Sequence, residues 1–201
     1  MPFKTPSWAS PRAKVVTPPP SRFQACLPYT LAQECPYPKD WSNPANFSDD
    51  PQDPGGATMC GITQNEYDAY RNSLHEPEQD VKQITQSDGQ AIYLDDYWQP
   101  YCPQLPIGLD LSFFDSSVNM GARQATEILQ FALDIGVDGI WGPQTAGAVA
   151  GIGEVDDVIN AFTAQREAVY RSFSTFQYFG ADWIRRATEI GSESIQMTEI
   201  A

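Results

Sequence analysis

Residues 53–58 read Asp53-Pro54-Gly55-Gly56-Ala57-Thr58, a turn with strong local constraints. Pro54 fixes one backbone φ angle, and the two glycines adopt backbone angles that other residues resist. The turn therefore fixes where the Asp53 carboxylate lies relative to the Thr58 hydroxyl. Together with Glu34 upstream, it supplies a carboxylic acid, a second carboxylate and a hydroxyl that can hold a water. These are the groups that a glycosidase uses.

The composition excludes some classes of partner. The 201-residue chain carries a formal net charge of −14, and residues 1–22 hold four of its 12 Lys and Arg and none of its 26 Asp and Glu. The strongly acidic remainder argues against DNA or RNA as a partner, because such proteins neutralise phosphates with basic residues. No apolar run reaches the ~20 residues that span a membrane.

The segment 1–22 is predicted to be an extended arm, since it combines basic residues with six prolines. It has no apolar core of the signal-peptide type, so we expect no signal peptide. Two interpretations stay open. The arm is either a flexible tail, as chain ends usually are, or a strap that docks onto a larger assembly.

Helical spacing dominates after residue 60, so the sequence predicts a mainly α protein. Thr63-Gln64-Asn65-Glu66 has the pattern of a capping box that starts a helix, and residues 87–90 suggest a second one. Upstream, 23–35 is predicted to be helical and 36–56 to be a long loop. Further helices are expected from Pro106 to Gly121, over 123–133, after Pro143, over 155–174 and over 181–190.

Four cysteines are present, at 26, 35, 60 and 102, without a Cys-x-x-Cys pair, and His75 is the single histidine. These spacings do not favour a structural zinc site. Buried thiols and one or two disulfides both remain open. Cys35 and Cys60 flank the loop that carries Asp53, so a bridge between them would tie that loop down.

Several motifs occur in the order found in one known family. Glu34, the turn at 53–58 and Gly-Ile-Thr at 61–63 resemble glycoside hydrolase family 108, which contains bacterial and phage lysozyme-like N-acetylmuramidases. The resemblance continues to about residue 190 through Tyr97-Trp98-x-Pro100, Leu105-Pro106-x-Gly108, Phe114-Asp115-x-x-Val118-Asn119-x-Gly121, Asp138-Gly139-x-x-Gly142-Pro143-x-Thr145 and Trp183-Ile184-x-Arg186. In the family two glycines follow the glutamate almost at once, whereas Glu34 precedes Cys35-Pro36-Tyr37-Pro38. This departure indicates an insertion that contains Trp41.

The resemblance implies a lysozyme-like helical fold with a long catalytic loop. After the arm at 1–22, it implies a catalytic region at 23–121 and a helical peptidoglycan-binding-type region at 122–201. The implied activity is cleavage of the β-1,4 bond between N-acetylmuramic acid and N-acetylglucosamine in peptidoglycan, without a cofactor or metal. The expected site of action is extracellular or periplasmic, reached by endolysin-type release or by carriage in a phage virion.

The resemblance also implies roles for individual residues. Glu34 would be the general acid, and Asp53 and Thr58 would hold a water or steady positive charge on the sugar. Rings can stack on the C–H faces of sugars, so four aromatic residues are candidates for substrate binding: Tyr37, Trp41, Tyr97 and Tyr101. Asn119 is the fifth candidate, as a polar residue that could contact the sugar. Each candidate also has a structural interpretation, as a surface acid, a turn residue or a core ring.

Other residues and functions stay open. Asp115 and Asn119 are expected to bond the backbone of the catalytic loop, and Arg166 and Arg186 either to brace the C-terminal helices or to pair with buried acids. A lytic transglycosylase, in which a hydroxyl of the substrate replaces water, needs only one acidic group. A virion or assembly protein that keeps a lysozyme-like fold as structure is the alternative from another class.

Overall fold

The computed structural model describes residues 21–49 and 56–200. This part of the chain forms eight α-helices and three two-residue strands, which confirms the mainly α fold. The helices are α1 (Ser21–Glu34), α2 (Gln64–Ser73), α3 (Gln86–Ile92), α4 (Leu109–Met120), α5 (Ala122–Ala132), α6 (Pro143–Ala150), α7 (Val155–Ser172) and α8 (Phe176–Glu199). Most of the predicted arm, and Asp53 itself, lie outside the described residues.

The three strands form a small antiparallel sheet in the order β1 (Phe47–Ser48), β2 (Thr58–Met59) and β3 (Ile62–Thr63). Strands β2 and β3 are joined by Cys60 and Gly61, whose φ angles are 47° and 75°. Two central residues with positive φ are typical of a type I′ hairpin. The sequence did not predict this hairpin, because Cys-Gly is not one of the usual turn pairs.

The observed helix boundaries confirm some predictions and correct others. Thr63 and Glu66 form the predicted capping box at the start of α2. The second box is wrong, because α3 is capped two residues earlier by Thr85, whose hydroxyl accepts from the Asp88 backbone N–H. Helix α3 continues into a π-helical turn at Tyr93–Trp98, and such turns often occur at functional sites.

Helix α4 lies at the centre of the protein, and nine of its residues from Leu109 to Ser117 are buried. It packs against α1, α5, α7 and α8. One of its contacts is a 2.8 Å hydrogen bond between the hydroxyls of Ser112 and Ser194. Residues 23–121 and 122–201 therefore share a core. No helix in the described part of the chain is long and apolar enough to cross a membrane.

The first helix packs on α4 through the stripe that the sequence predicts. Its buried residues are Phe23, Cys26, Leu27, Thr30 and Leu31, which recur at helical spacing. Ser21 and Arg22, which the sequence placed in the arm, belong to this helix, and Arg22 pairs with the buried Asp110 of α4. Glu34 follows Leu31 by three positions and Thr30 by four, so it lies on the core-facing side of α1.

Candidate active site

Glu34, the last residue of α1, is mostly withdrawn from water. Its side chain is 19% exposed, and its Oε1 atom is buried. The exposed part of the carboxyl group therefore does not include Oε1. A surface acid at a helix end would be far more exposed, so the solvated interpretation of Glu34 does not hold in this structure.

The hairpin between β2 and β3 forms one wall beside this carboxyl group. A Cβ atom at Gly61 would lie 3.0 Å from both Cβ and Oε2 of Glu34, and 2.8 Å from the Tyr93 hydroxyl. Only glycine fits here, because its φ of 75° also strains other residues. Tyr93 donates a 2.7 Å hydrogen bond to the carbonyl of Cys60, and this bond fixes the hairpin against the π-helical turn.

A disulfide joins the two segments that meet at Glu34. Cys35, directly after Glu34, is bonded to Cys60, directly before Gly61. The bridge that the sequence left open is therefore formed, while Cys26 and Cys102 are free and buried. It holds the end of α1 against the hairpin and thereby keeps the Glu34 carboxyl beside Gly61.

Two buried arginines and Asp115 form an ionic network on the other side of Glu34. Arg186 donates to Asp115 from Nε at 3.0 Å and from Nη2 at 2.8 Å, and Arg166 donates to the same carboxylate at 2.7 Å. Arg186 Nη1 lies 2.6 Å from Glu34 Oε1. Oε1 has no partner that meets hydrogen-bond geometry, so this contact is an ion pair without an aligned hydrogen bond.

The network confirms the prediction that both arginines pair with a buried acid. Among the described residues, the oxygens of Asp115 accept from guanidinium groups and from no backbone group of the catalytic loop, unlike the expectation. Asn119 has no hydrogen bond to the described part of that loop either. Its amide oxygen accepts a 2.5 Å hydrogen bond from Tyr170, which in turn accepts one from Arg166.

The charges around Glu34 keep the network ionised. Burial by itself would raise the pKa of Asp115, but Arg166 and Arg186 outweigh it and lower that pKa below its ordinary value. Burial by itself would lower the pKa of Arg186, but Asp115 and then Glu34 outweigh it and raise that pKa. Burial and the Glu34 carboxylate raise the pKa of Tyr93 well above its ordinary value, so its hydroxyl stays protonated and donates.

Thr58, the predicted water-holding residue, lies in β2 opposite Thr63 and is partly buried. Its hydroxyl donates a 3.0 Å hydrogen bond to the carbonyl of Gly56. The lone pairs of that hydroxyl can still accept a hydrogen bond from a water. Because Asp53 lies outside the described residues, the distance between its carboxylate and Thr58 stays a prediction.

The structure separates the two aromatic candidates of the insertion. Tyr37 is 50% exposed, so its ring is accessible to a ligand. Trp41 is 5% exposed and packs over Gly89, where a Cβ atom would lie 2.1 Å from the indole. Its indole N–H donates to the carbonyl of Pro38, so Trp41 holds the insertion against the core and presents no open face to a sugar.

Tyr97 and Tyr101 lie in different surroundings. Tyr97 is on the π-helical turn next to Tyr93, and its hydroxyl donates to Glu66. Burial and Glu66 raise the pKa of Tyr97, so it remains a donor. Tyr101 packs with the rings of Phe113 and Trp141, each at a centroid distance of 5.4 Å, so its ring belongs to an aromatic cluster with these two residues.

Asn119 lines a pocket of about 170 Å³. The pocket is bordered by aromatic rings from α7, from α8 and from the turn that joins them. Its other lining residues are Met120, Gln124, Tyr170, Phe173 and Trp183. Asn119 lies one helical turn after Asp115 on α4, and its hydrogen-bond partner is Tyr170. Glu34 is not among the residues that line this pocket.

Sequence reasoning missed two parts of this site. Arg186 was expected to pair with an acid, but nothing in the sequence indicated that it also reaches Glu34. Glu66 was interpreted as a capping residue alone. In the structure its carboxylate accepts from the backbone and hydroxyl of Thr63 and also from Tyr97, so it fixes a ring next to the site. The short Thr-x-x-Glu pattern signals the first role and not the second.

The helical fold and the half-buried carboxylate of Glu34 are features of a lysozyme-type glycoside hydrolase. In the comparisons with known proteins, residues 41–121 match the family described as Glycosyl hydrolase 108. A solved structure described as that of Brucella abortus SagA is 28% identical to this chain, with a TM-score of 0.72. The similarity covers 87% of this chain and 94% of that chain. No curated protein matches the sequence.

These findings agree with the resemblance that the motifs indicated: residues 41–121 match the glycosyl hydrolase 108 family, and the chain is a lysozyme-type glycoside hydrolase. They support peptidoglycan as its substrate. The matched residues begin at Trp41, after Glu34, and include Thr58 and Gly61. The role of Glu34 therefore depends on its geometry.

Proposed function

We propose that this protein is an N-acetylmuramidase that hydrolyses the β-1,4 bond between N-acetylmuramic acid and N-acetylglucosamine, with Glu34 as the general acid. The observation that supports this most is the position of Glu34, with Oε1 buried and Oε2 beside Gly61. A carboxyl group that is largely shielded from water and still partly exposed suits proton donation to a sugar oxygen.

In the proposed reaction the O–H bond of Glu34 breaks, and its proton bonds to the glycosidic oxygen. The electron pair of the bond between that oxygen and the anomeric carbon moves onto the oxygen, which leaves as a hydroxyl. A water then adds to the anomeric carbon and loses a proton to solvent, and Glu34 takes up a proton from solvent before the next turnover. We propose that Asp53 and Thr58 hold this water, since the Thr58 hydroxyl retains lone pairs that can accept a hydrogen bond.

Digestion of purified peptidoglycan by the wild type and by Glu34→Gln tests the proposal. A general acid contributes roughly 10²- to 10⁴-fold to the rate, so Glu34→Gln should lose at least two orders of magnitude in turnover with an unchanged circular dichroism spectrum. Glu154→Gln, at an exposed position, is the matched control. Wild-type turnover by Glu34→Gln would contradict the assignment.

Mass analysis of the fragments from the same digestion identifies the reaction. Hydrolysis leaves a reducing N-acetylmuramic acid end, whereas a lytic transglycosylase leaves an anhydro end. The proposal predicts reducing ends, and anhydro ends would replace it with the transglycosylase. A site of action outside the cytoplasm follows from a peptidoglycan substrate. Docking of residues 1–22 onto a phage tail or another assembly stays a prediction.

A further inference from the structure

We propose that Arg186 is a positioning residue that orients Glu34 for proton donation. It holds Oε1 so that Oε2 is the atom that carries the proton to the glycosidic oxygen. The inference rests on the function proposed above, because it assigns a partner to the acid of that reaction. Arg186 belongs to α8, in the region that the sequence assigned to peptidoglycan binding, and it lies outside the residues that match the hydrolase family.

The first step of the argument is that Arg186 cannot easily move. Its Nε and Nη2 atoms bind the two oxygens of Asp115, which is fully buried on α4. A guanidinium group is planar, so this two-point contact fixes the direction of the remaining nitrogen. Nη1 is therefore held next to Oε1 of Glu34 by the packing of α8 on α4.

The second step concerns the two oxygens of Glu34. Arg186 lies 2.6 Å from Oε1, and Oε1 is buried. Oε2 lies against Gly61, where the missing side chain leaves space, and it accepts no hydrogen bond from a described residue. Oε2 is thus the oxygen that is available for a proton and for a substrate.

The third step concerns charge. The described network contains two guanidinium groups, those of Arg166 and Arg186, and two carboxyl groups, those of Asp115 and Glu34. After Glu34 has given its proton to the sugar, the network holds two cations and two anions, and its net charge is zero. Arg186 therefore stabilises the anion that forms as the glycosidic bond breaks, which is an interaction that strengthens along the reaction.

Two single variants with the same change of charge test the proposal. Arg186→Gln removes one cation from Asp115 and breaks the contact with Glu34. Arg166→Gln removes the other cation from the same buried acid, but leaves Arg186 bound to both oxygens of Asp115 and beside Glu34. Misplacing a catalytic group by about 1 Å can cost roughly 100-fold in rate. We expect kcat to fall about that much in the first variant, with KM changed little, and to stay at least roughly tenfold higher in the second.

Arg186→Lys is the variant to use where Arg186→Gln does not fold. A lysine keeps the charge but has one ammonium group, which can contact Asp115 or Glu34 and not hold both in fixed directions. An intermediate fall in kcat, with an unfolding temperature close to that of the wild type, supports the proposal. Wild-type kcat in Arg186→Lys, or equal kcat in Arg186→Gln and Arg166→Gln, would overturn it while Glu34→Gln stays inactive. An active Glu34→Gln would instead remove the proposed function and this inference together.

Discussion

Glu34 and Gly61 meet so closely that a single added carbon atom at residue 61 would touch the carboxyl group. The carbon would lie 3.0 Å from Oε2 of Glu34 and 2.8 Å from the hydroxyl of Tyr93. The backbone of the hairpin is therefore part of the wall of the site. The absence of a side chain at Gly61 leaves the space beside Oε2.

Gly61→Ala should lower both stability and activity. The new methyl group has to displace Glu34 or Tyr93, and a residue with positive φ adds a backbone cost of order 1–3 kcal/mol. We expect a lower unfolding temperature and a kcat reduced by at least about tenfold, since the carboxyl group is displaced.

Gly121→Ala separates the effect of a positive φ angle from the effect of contact with Glu34. Gly121 has a φ of 84°, and a Cβ there would meet nothing within 4 Å. This control should share the loss of stability and keep its kcat. Equal activity losses in the two variants would show that contact with Glu34 is not the reason.

The bridge between Cys35 and Cys60 should support both the fold and the site. For two cysteines separated by 25 residues, the chain-entropy treatment gives a stabilisation of about 3.5 kcal/mol. We expect urea unfolding of Cys35→Ala with Cys60→Ala to occur at a lower midpoint. Activity should fall as well, because the bridge holds Glu34 beside the hairpin.

Cys26→Ala with Cys102→Ala is the matched control, since it removes two buried free cysteines. A reducing agent should destabilise this control and the wild type, but should have no effect on the variant without the bridge. A reduced wild type that keeps full stability and activity would contradict the role given to the bridge.

Asp115 should make the protein sensitive to acid. Its pKa is lowered because Arg166 and Arg186 outweigh burial. The stabilising contribution of such a group is fully present above the unfolded pKa of about 3.9 and is lost as the pH falls through the lower folded value. Asp115→Asn should cost about 3–5 kcal/mol at neutral pH, because it leaves two arginines without their buried anion.

Urea unfolding between pH 2 and pH 7 measures this effect. The free energy of unfolding of Asp115→Asn should depend less on pH below about 4 than that of the wild type. Asp182→Asn is the control, since the side chain of Asp182 is 82% exposed. The same pH dependence in Asp115→Asn and the wild type would show that this carboxylate does not stabilise the fold through its charge.

Tyr37 and Trp41 should respond differently to truncation. Trp41→Ala removes a buried ring that packs on Gly89, and such changes cost about 3–5 kcal/mol. Tyr37→Ala removes an exposed ring and should change stability by less than about 0.5 kcal/mol. If Tyr37 stacks on a sugar, a loss of about 0.5–1.5 kcal/mol raises KM several-fold. An unchanged KM in Tyr37→Ala would exclude it from substrate binding.

Local pattern determined much of the helical structure. The spacing of Phe23, Leu27 and Leu31 predicted the buried face of α1. Thr63 and Glu66 predicted the start of α2, and the segment 123–133 agrees closely with α5. These features depend on residues three or four positions apart, which are neighbours in any helix. The predicted helix over 181–190 was too short, because α8 extends to Glu199 and its later turns pack on α4 through Ser194 and Ser112.

Sequence order also indicated the enzyme class and the candidate acid, since the motifs follow one another as in the family. The tertiary structure alone decided that Glu34 meets Gly61 on one side and Arg186 on the other. Periodicity shows which face of a helix is buried, but not which distant segment covers it. That choice depended on the packing of α1 and α8 against α4 and on the cysteine pair that closes the hairpin onto α1. The same packing buries Trp41 in the core and places one nitrogen of Arg186 next to the carboxyl group of Glu34.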